Sequence, residues 1–171
     1  MELAQRYTDN LSALRNILNI DLTVQTVPMQ ASLEDAIDIF DRVNSLGTKL
    51  TDAELALTHI TGKWSQARRV MKTKIQDLDK NFFSFDLSFT TRCLTGIVTK
   101  HAEFDNVHRV PKNDLEKGWS VLSKILDYLV SILPVRAYLH STRDSNTNNI
   151  LVPIVSYLSL YNCKFPKDNS L

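Results

Sequence analysis

IFDRVNSLGTKLTDAE, Ile39 to Glu54, is the stretch that decides the fold. It predicts one helix, a glycine stop, a short bridge and a second helix. Phe40 and Val43 continue the apolar stripe begun by Leu33, Ala36 and Ile37, at helical spacing. Gly47 suits the left-handed position that closes a helix. Thr51 to Glu54 has the form of a capping box, in which a hydroxyl and a carboxylate satisfy each other's backbone amides. Arg42 and Asn44 fall where the first helix ends, and Leu50 re-enters an apolar setting before the second begins. The stripe places Phe40 in the core, where its loss to alanine costs roughly 3–5 kcal/mol. Asn44 has two readings: it holds a ligand beside the turn, or it ties down the turn's own backbone.

Outward from there the pattern is helical almost throughout. Leu3, Tyr7, Leu11, Leu14 and Leu18 line one face of a helix over residues 3–19. Asp21 to Met29, DLTVQTVPM, alternates like a strand and ends at Pro28. A single strand cannot satisfy its backbone. The stretch therefore needs a weak partner strand, a second copy (a homodimer through residues 21–29), or a missing part of a parent protein. Ser32 is a suitable N-cap for the motif helices of residues 32–62. Residues 63–165 read as a helical bundle. Trp64, Ala67, Met71, Ile75 and Leu78 share one side of its first helix, and Leu87 to Lys100 forms the next. Asn113 with Glu116 suggests a second capping box, opening the longest helix, through Leu115, Trp119, Leu122, Ile125 or Leu126, Leu129 and Leu133 to Pro134. After a polar loop, Ser141 to Asn149, the run Ile150 to Tyr161 is apolar almost all round and reads as a buried helix. The expected fold is mainly α: about six helices around one core in a single domain over residues 1–171, with one short N-terminal β-strand.

Composition narrows the function classes. The 20 basic and 19 acidic residues nearly cancel, so no global field draws the chain to nucleic acid or anionic lipid. Cys93 and Cys163 stand alone, which predicts free thiols in a reducing compartment. The N-terminus is not a secretory signal and no run of about 18 apolar residues occurs. A cytoplasmic protein with no membrane partner is expected. The four histidines have no metal-ligand spacing; the densest group, His101, Glu103, Asp105 and His108, reads as a polar loop. No glycine-rich phosphate loop and no nucleophile elbow occur, so no metal site, no cofactor and no catalytic residue are assigned. Lys63, Arg68, Arg69, Lys72 and Lys74 form a local basic set that either tracks a nucleic-acid backbone or is a solvated helix face, with Asp77 and Asp79 diluting it.

The stretch Ala36 to Ile60 also resembles a signature of GmrSD-type modification-dependent restriction systems. The pattern Phe-x-x-x-Asn-x-x-Gly-x-x-Leu of their regulatory, GmrS-like domain is matched by Phe40, Asn44, Gly47 and Leu50. NNILVPIVSYLSLY, from Asn148 to Tyr161, is similar to a downstream helix of that family, so the resemblance spans residues 20–165. It implies a ParB/sulfiredoxin-like α/β core followed by helices, an Asp-Gly-Gln-Gln-Arg motif tied to nucleotide binding and hydrolysis, and a separate His-Asn-His nuclease domain. The parent is then an NTP-dependent DNA endonuclease that needs a divalent metal. Neither the Asp-Gly-Gln-Gln-Arg motif nor a nuclease motif occurs here. The resemblance therefore implies the later, helical part of such a regulatory domain, a fragment not catalytic alone, whose upstream core and nuclease are its partners. On this reading Phe40, Arg42, Asn44, Gly47, Lys49 and Leu50 belong to the nucleotide site of the complete domain, and DNA is the target. A non-catalytic helical protein-interaction module is the alternative.

Overall fold

The structure is a computed structural model that describes residues 2–21, 24, 26–45, 50–101, 104 and 106–165. Among these residues it contains seven α-helices and no strand: α1 (Glu2–Ile17), α2 (Leu33–Ser45), α3 (Asp52–Lys63), α4 (Ala67–Asp79), α5 (Leu87–Thr99), α6 (Lys112–Arg136) and α7 (Leu151–Leu160). The mainly α class is thus observed. The chain divides into two compact units, Met1–Ser32 and Leu33–Leu171.

The first unit is α1 and the segment after it. The helix forms as its 3- and 4-residue spacing predicts, but Leu3, Tyr7, Leu11, Leu14 and Leu18 are all exposed. The strand expected at Asp21 to Met29 is not observed. Asp21, Val24 and Thr26 to Pro28 are irregular, and the chain turns at Met29–Gln30, where the Ala31 amide donates to the Pro28 carbonyl (3.0 Å). Leu22, Thr23 and Gln25 lie outside the described residues. Alternation alone offers the backbone no partner, and no second strand is present among the described residues to form a ladder. A ParB/sulfiredoxin-like sheet is likewise unsupported.

The second unit is a bundle centred on α5, which packs against α3, α4, α6 and α7. Phe89, Cys93, Leu94 and Ile97 of α5 meet Leu115, Leu122, Ile125, Leu126, Leu129 and Leu133 of α6, all buried. Leu57, Ile60, Trp64, Met71 and Leu78 close one side; Leu151, Val152, Val155 and Leu158 close the other. Gly118 permits the close approach of α5 and α6: a Cβ there would lie 2.4 Å from Val98 Cγ1 and 3.1 Å from Leu94 Cδ1. Most of the expected bundle residues are in this core, though Ile75 and Trp119 are only half-buried.

Local signals held unevenly. Thr51 and Glu54 make the capping box, with the Thr51 amide donating to Glu54 Oε2 (2.8 Å) and the Glu54 amide to Thr51 Oγ1 (3.3 Å). The second expected box is absent: α6 starts at Lys112, Pro111 occupies the N-cap, and no side chain caps it. The fixed φ of proline suits the entry, and the Pro111 carbonyl accepts from the Asp114 and Leu115 amides (3.1 and 3.2 Å). Pro134 does not end α6, which continues to Arg136. Pro153 sits in the first turn of α7, where no intrahelical donor is lost. That helix is only half-sunk, because Pro153, Tyr157 and Leu160 are exposed. By length and composition α6 is apolar enough to cross a membrane, a property unseen in the sequence reading. It is also the core helix of the bundle, and Asp127 midway along it pairs with Lys74.

Candidate functional site

Phe40, Arg42 and Leu50 flank the junction between α2 and α3. Gly47 and Lys49, and the side chain of Asn44, lie outside the described residues. The capping box fixes where α3 starts, and Leu50, half-buried, precedes it. Phe40 departs from expectation: it is 44% exposed, and Ile39 and Val43 are exposed with it. Among the described side chains of the α2 stripe only Ile37 is buried. Helical spacing identified the apolar face correctly, but the bundle uses one edge of it. Truncating Phe40 therefore removes less buried area than at a full core position, and the stability cost should fall below the one expected there. Arg42, one turn from the helix end, is exposed as well.

The five basic residues do not form one surface. Lys63, in the last turn of α3, donates to the carbonyls of His108 and Val110, anchoring the 3₁₀ turn Val107–Arg109. Arg69 donates to Gln66 Oε1 (3.0 Å). Lys74 reaches across to α6 and pairs with Asp127 (2.6 Å), its side chain only 15% exposed. Arg68 and Lys72 remain exposed on α4, one helical turn apart. Trp64, the aromatic nearest in sequence, is in the core against Trp119 (6.5 Å between rings).

Trp119, expected in the apolar stripe of α6, also reaches the surface. With Arg69, Val70, Thr73, Lys74, Asp77 and Ser123 it lines a shallow groove of about 390 Å³ between α4 and α6. Carboxylates temper the charge: Asp127 pairs with Lys74 from outside the lining, and the Lys80 ammonium beside Asp77 holds that carboxyl below its ordinary value. The signal existed in the sequence as an indole at the edge of the α6 stripe, but its meeting with α4 is tertiary.

Among the described residues no group of three or more His, Cys, Asp or Glu side chains is placed to hold a metal. Glu103 and Asp105 of the polar loop lie outside the described residues. His108 instead accepts from Arg109 Nε through Nε2 (3.2 Å), and its ring lies 6.0 Å from that of His59. Both cysteines are free thiols, as expected, with Cys93 buried and Cys163 half-buried. Burial pushes the Cys93 thiol far above its ordinary range, which makes it inert as a nucleophile.

A second concavity lies where the end of α4 faces the segment after α6. It has a volume of about 620 Å³ and is lined by Asp79, Phe82, Ser84, Ser141, Thr142 and Arg143. No protein-family model, no curated protein and no solved structure matches the chain.

Proposed function

We propose that the chain is the helical portion of a nucleotide-sensing regulatory domain in a DNA restriction system of the GmrSD kind, working in phage defence and not catalytic by itself. The observation that carries this reading is the spacing of Phe40, Asn44, Gly47 and Leu50 across the α2–α3 junction. The exposure of Phe40 and Arg42 beside that junction supports it. In this reading an upstream core supplies the phosphate-binding groups, with a divalent metal. Arg42, Asn44 and Lys49 add polar and charged groups at the junction. A separate nuclease cuts, and Arg68, Lys72 and the Trp119 groove are the surface best suited to DNA. The setting is the cytoplasm, without a membrane.

The test joins this chain to the segment encoded directly upstream of it and measures GTP and ATP binding by calorimetry. Binding that falls at least tenfold in Asn44→Ala, with an unchanged melting temperature, is the expected result. An upstream reading frame without Asp-Gly-Gln-Gln-Arg, or binding indifferent to Asn44→Ala, removes the proposal. The exposed Ile39, Phe40 and Val43 then favour the second reading, a helical module that docks a partner protein through α2.

A further inference from the structure

The concavity at Asp79, Phe82 and Arg143 combines features that folding alone does not explain. Its frame is preformed. The Thr142 amide donates to the Phe82 carbonyl (3.3 Å), and the Ser84 amide donates to Thr142 Oγ1 (3.2 Å). Asn148 Nδ2 donates to the Ser84 carbonyl (3.4 Å). Asp144 steadies the other side by accepting the amides of His140 and Ser141, both at 2.8 Å. The walls are thus tied by backbone and side-chain hydrogen bonds, three of them between distant segments.

Three side chains in that frame are left unspent. Among the described residues the Arg143 guanidinium makes no hydrogen bond and no ion pair. The Asp79 carboxylate accepts from the Ser84 hydroxyl but meets no cation. The two face one cavity without pairing with each other. Phe82 is the third. It occupies the left-handed position that closes α4, with φ of 67°. Its amide donates to the Asp79 carbonyl and the Phe83 amide to the Leu78 carbonyl, the pattern in which glycine is usual. A phenylalanine there is strained, and its ring is 75% exposed. Strain and exposure together bring no packing gain.

We propose that this concavity binds a small zwitterion, an α-amino acid or short peptide with an aromatic side chain. The carboxylate pairs with Arg143, the ammonium with Asp79, and the ring lies on Phe82. A volume of about 620 Å³ suits such a ligand and lies within the usual range for small-molecule sites. Nothing in this proposal depends on the nucleotide reading, whose residues lie on other elements.

The full chain is titrated with L-phenylalanine and followed by amide resonances. The expected result is a saturable shift at Phe82, Ser84 and Thr142. Phenylacetate and phenethylamine, each carrying one of the two charges, should bind at least tenfold more weakly. Arg143→Ala and Asp79→Asn should each weaken L-phenylalanine at least tenfold without lowering the melting temperature. Arg143 has no partner to lose, and asparagine keeps the acceptor for Ser84. Phe82→Gly should weaken binding while raising the melting temperature. No saturable shift, equal binding of either single-charge analogue, or indifference to the Arg143 and Asp79 variants overturns the proposal.

Discussion

At the scale of single residues, the core of the bundle contains a polar flaw. Thr91 and Thr95 are fully buried on α5, one turn apart, and their hydroxyls make no hydrogen bond among the described residues. Their neighbours behave differently: Thr90 donates to the carbonyls of Asp86 (3.1 Å) and Leu87 (3.0 Å), and Thr99 to that of Thr95 (2.8 Å). A buried hydroxyl without a partner bears its full desolvation cost, whereas an isosteric methyl does not. Thr95→Val should therefore stabilise the protein by about 1 kcal/mol, and Thr91→Val by a similar amount. Urea unfolding of the two variants checks this. A loss of stability in both would mean that a buried water satisfies the hydroxyls.

At the scale of elements, the crossing of α5 and α6 depends on Gly118. In an open helix, glycine to alanine gains about 1 kcal/mol through propensity. Here the added methyl lands 2.4 Å from Val98, whose β-branched side chain has few rotamers to yield. Overpacking should win, and Gly118→Ala should destabilise by a net 1–2 kcal/mol or so, read from the denaturation midpoint. A gain instead would show that half-buried Val98 swings away freely. Gly96, at the crossing with α7, is the gentler case, since the nearest atom to its virtual Cβ is Ser156 Oγ at 3.0 Å. Caps show the same competition between local and tertiary demands. Thr51 does what its sequence context promised, while α6 starts at Lys112 behind Pro111, one residue too early for the promised Asn113 box.

At the scale of the whole molecule, the resolved carboxylate shifts share one direction. Glu54 is held below its ordinary 4.5 chiefly by the Thr51 amide, and Asp77 below 3.8 by Lys80. Asp144 is also held below 3.8, by the Ser141 and His140 amides. Each binds its proton more weakly folded than unfolded. Their stabilising contribution is therefore complete above the unfolded values and is lost as pH falls through the lower folded ones. Thermal melts should be level in this respect down to about pH 5 and then decline. Glu54→Gln should make the acid decline shallower. An identical pH profile for that variant would show that the capping carboxylate contributes nothing to acid sensitivity.

Sequence alone was enough for the helical class, the course of α3 to α6 within a few residues, the Thr51 box and most of the bundle core. These follow from local chemistry and 3.6-residue spacing, which act over one or two turns. Periodicity also found the apolar faces of α1 and α2, but not whether anything covers them: Leu11 and Phe40 follow the core pattern and are exposed. The same limit undid the strand, since alternation proposes an edge and only a neighbouring backbone can complete it. The candidate nucleotide-site positions were legible as a spacing. The basic set was legible as a composition, yet tertiary packing spent Lys63 on carbonyls and Lys74 on Asp127. The concavity at Asp79, Phe82 and Arg143 was not legible at all. Phe82 and Arg143 are far apart in sequence, and only the folding of the bundle sets a guanidinium and a strained aromatic around one space.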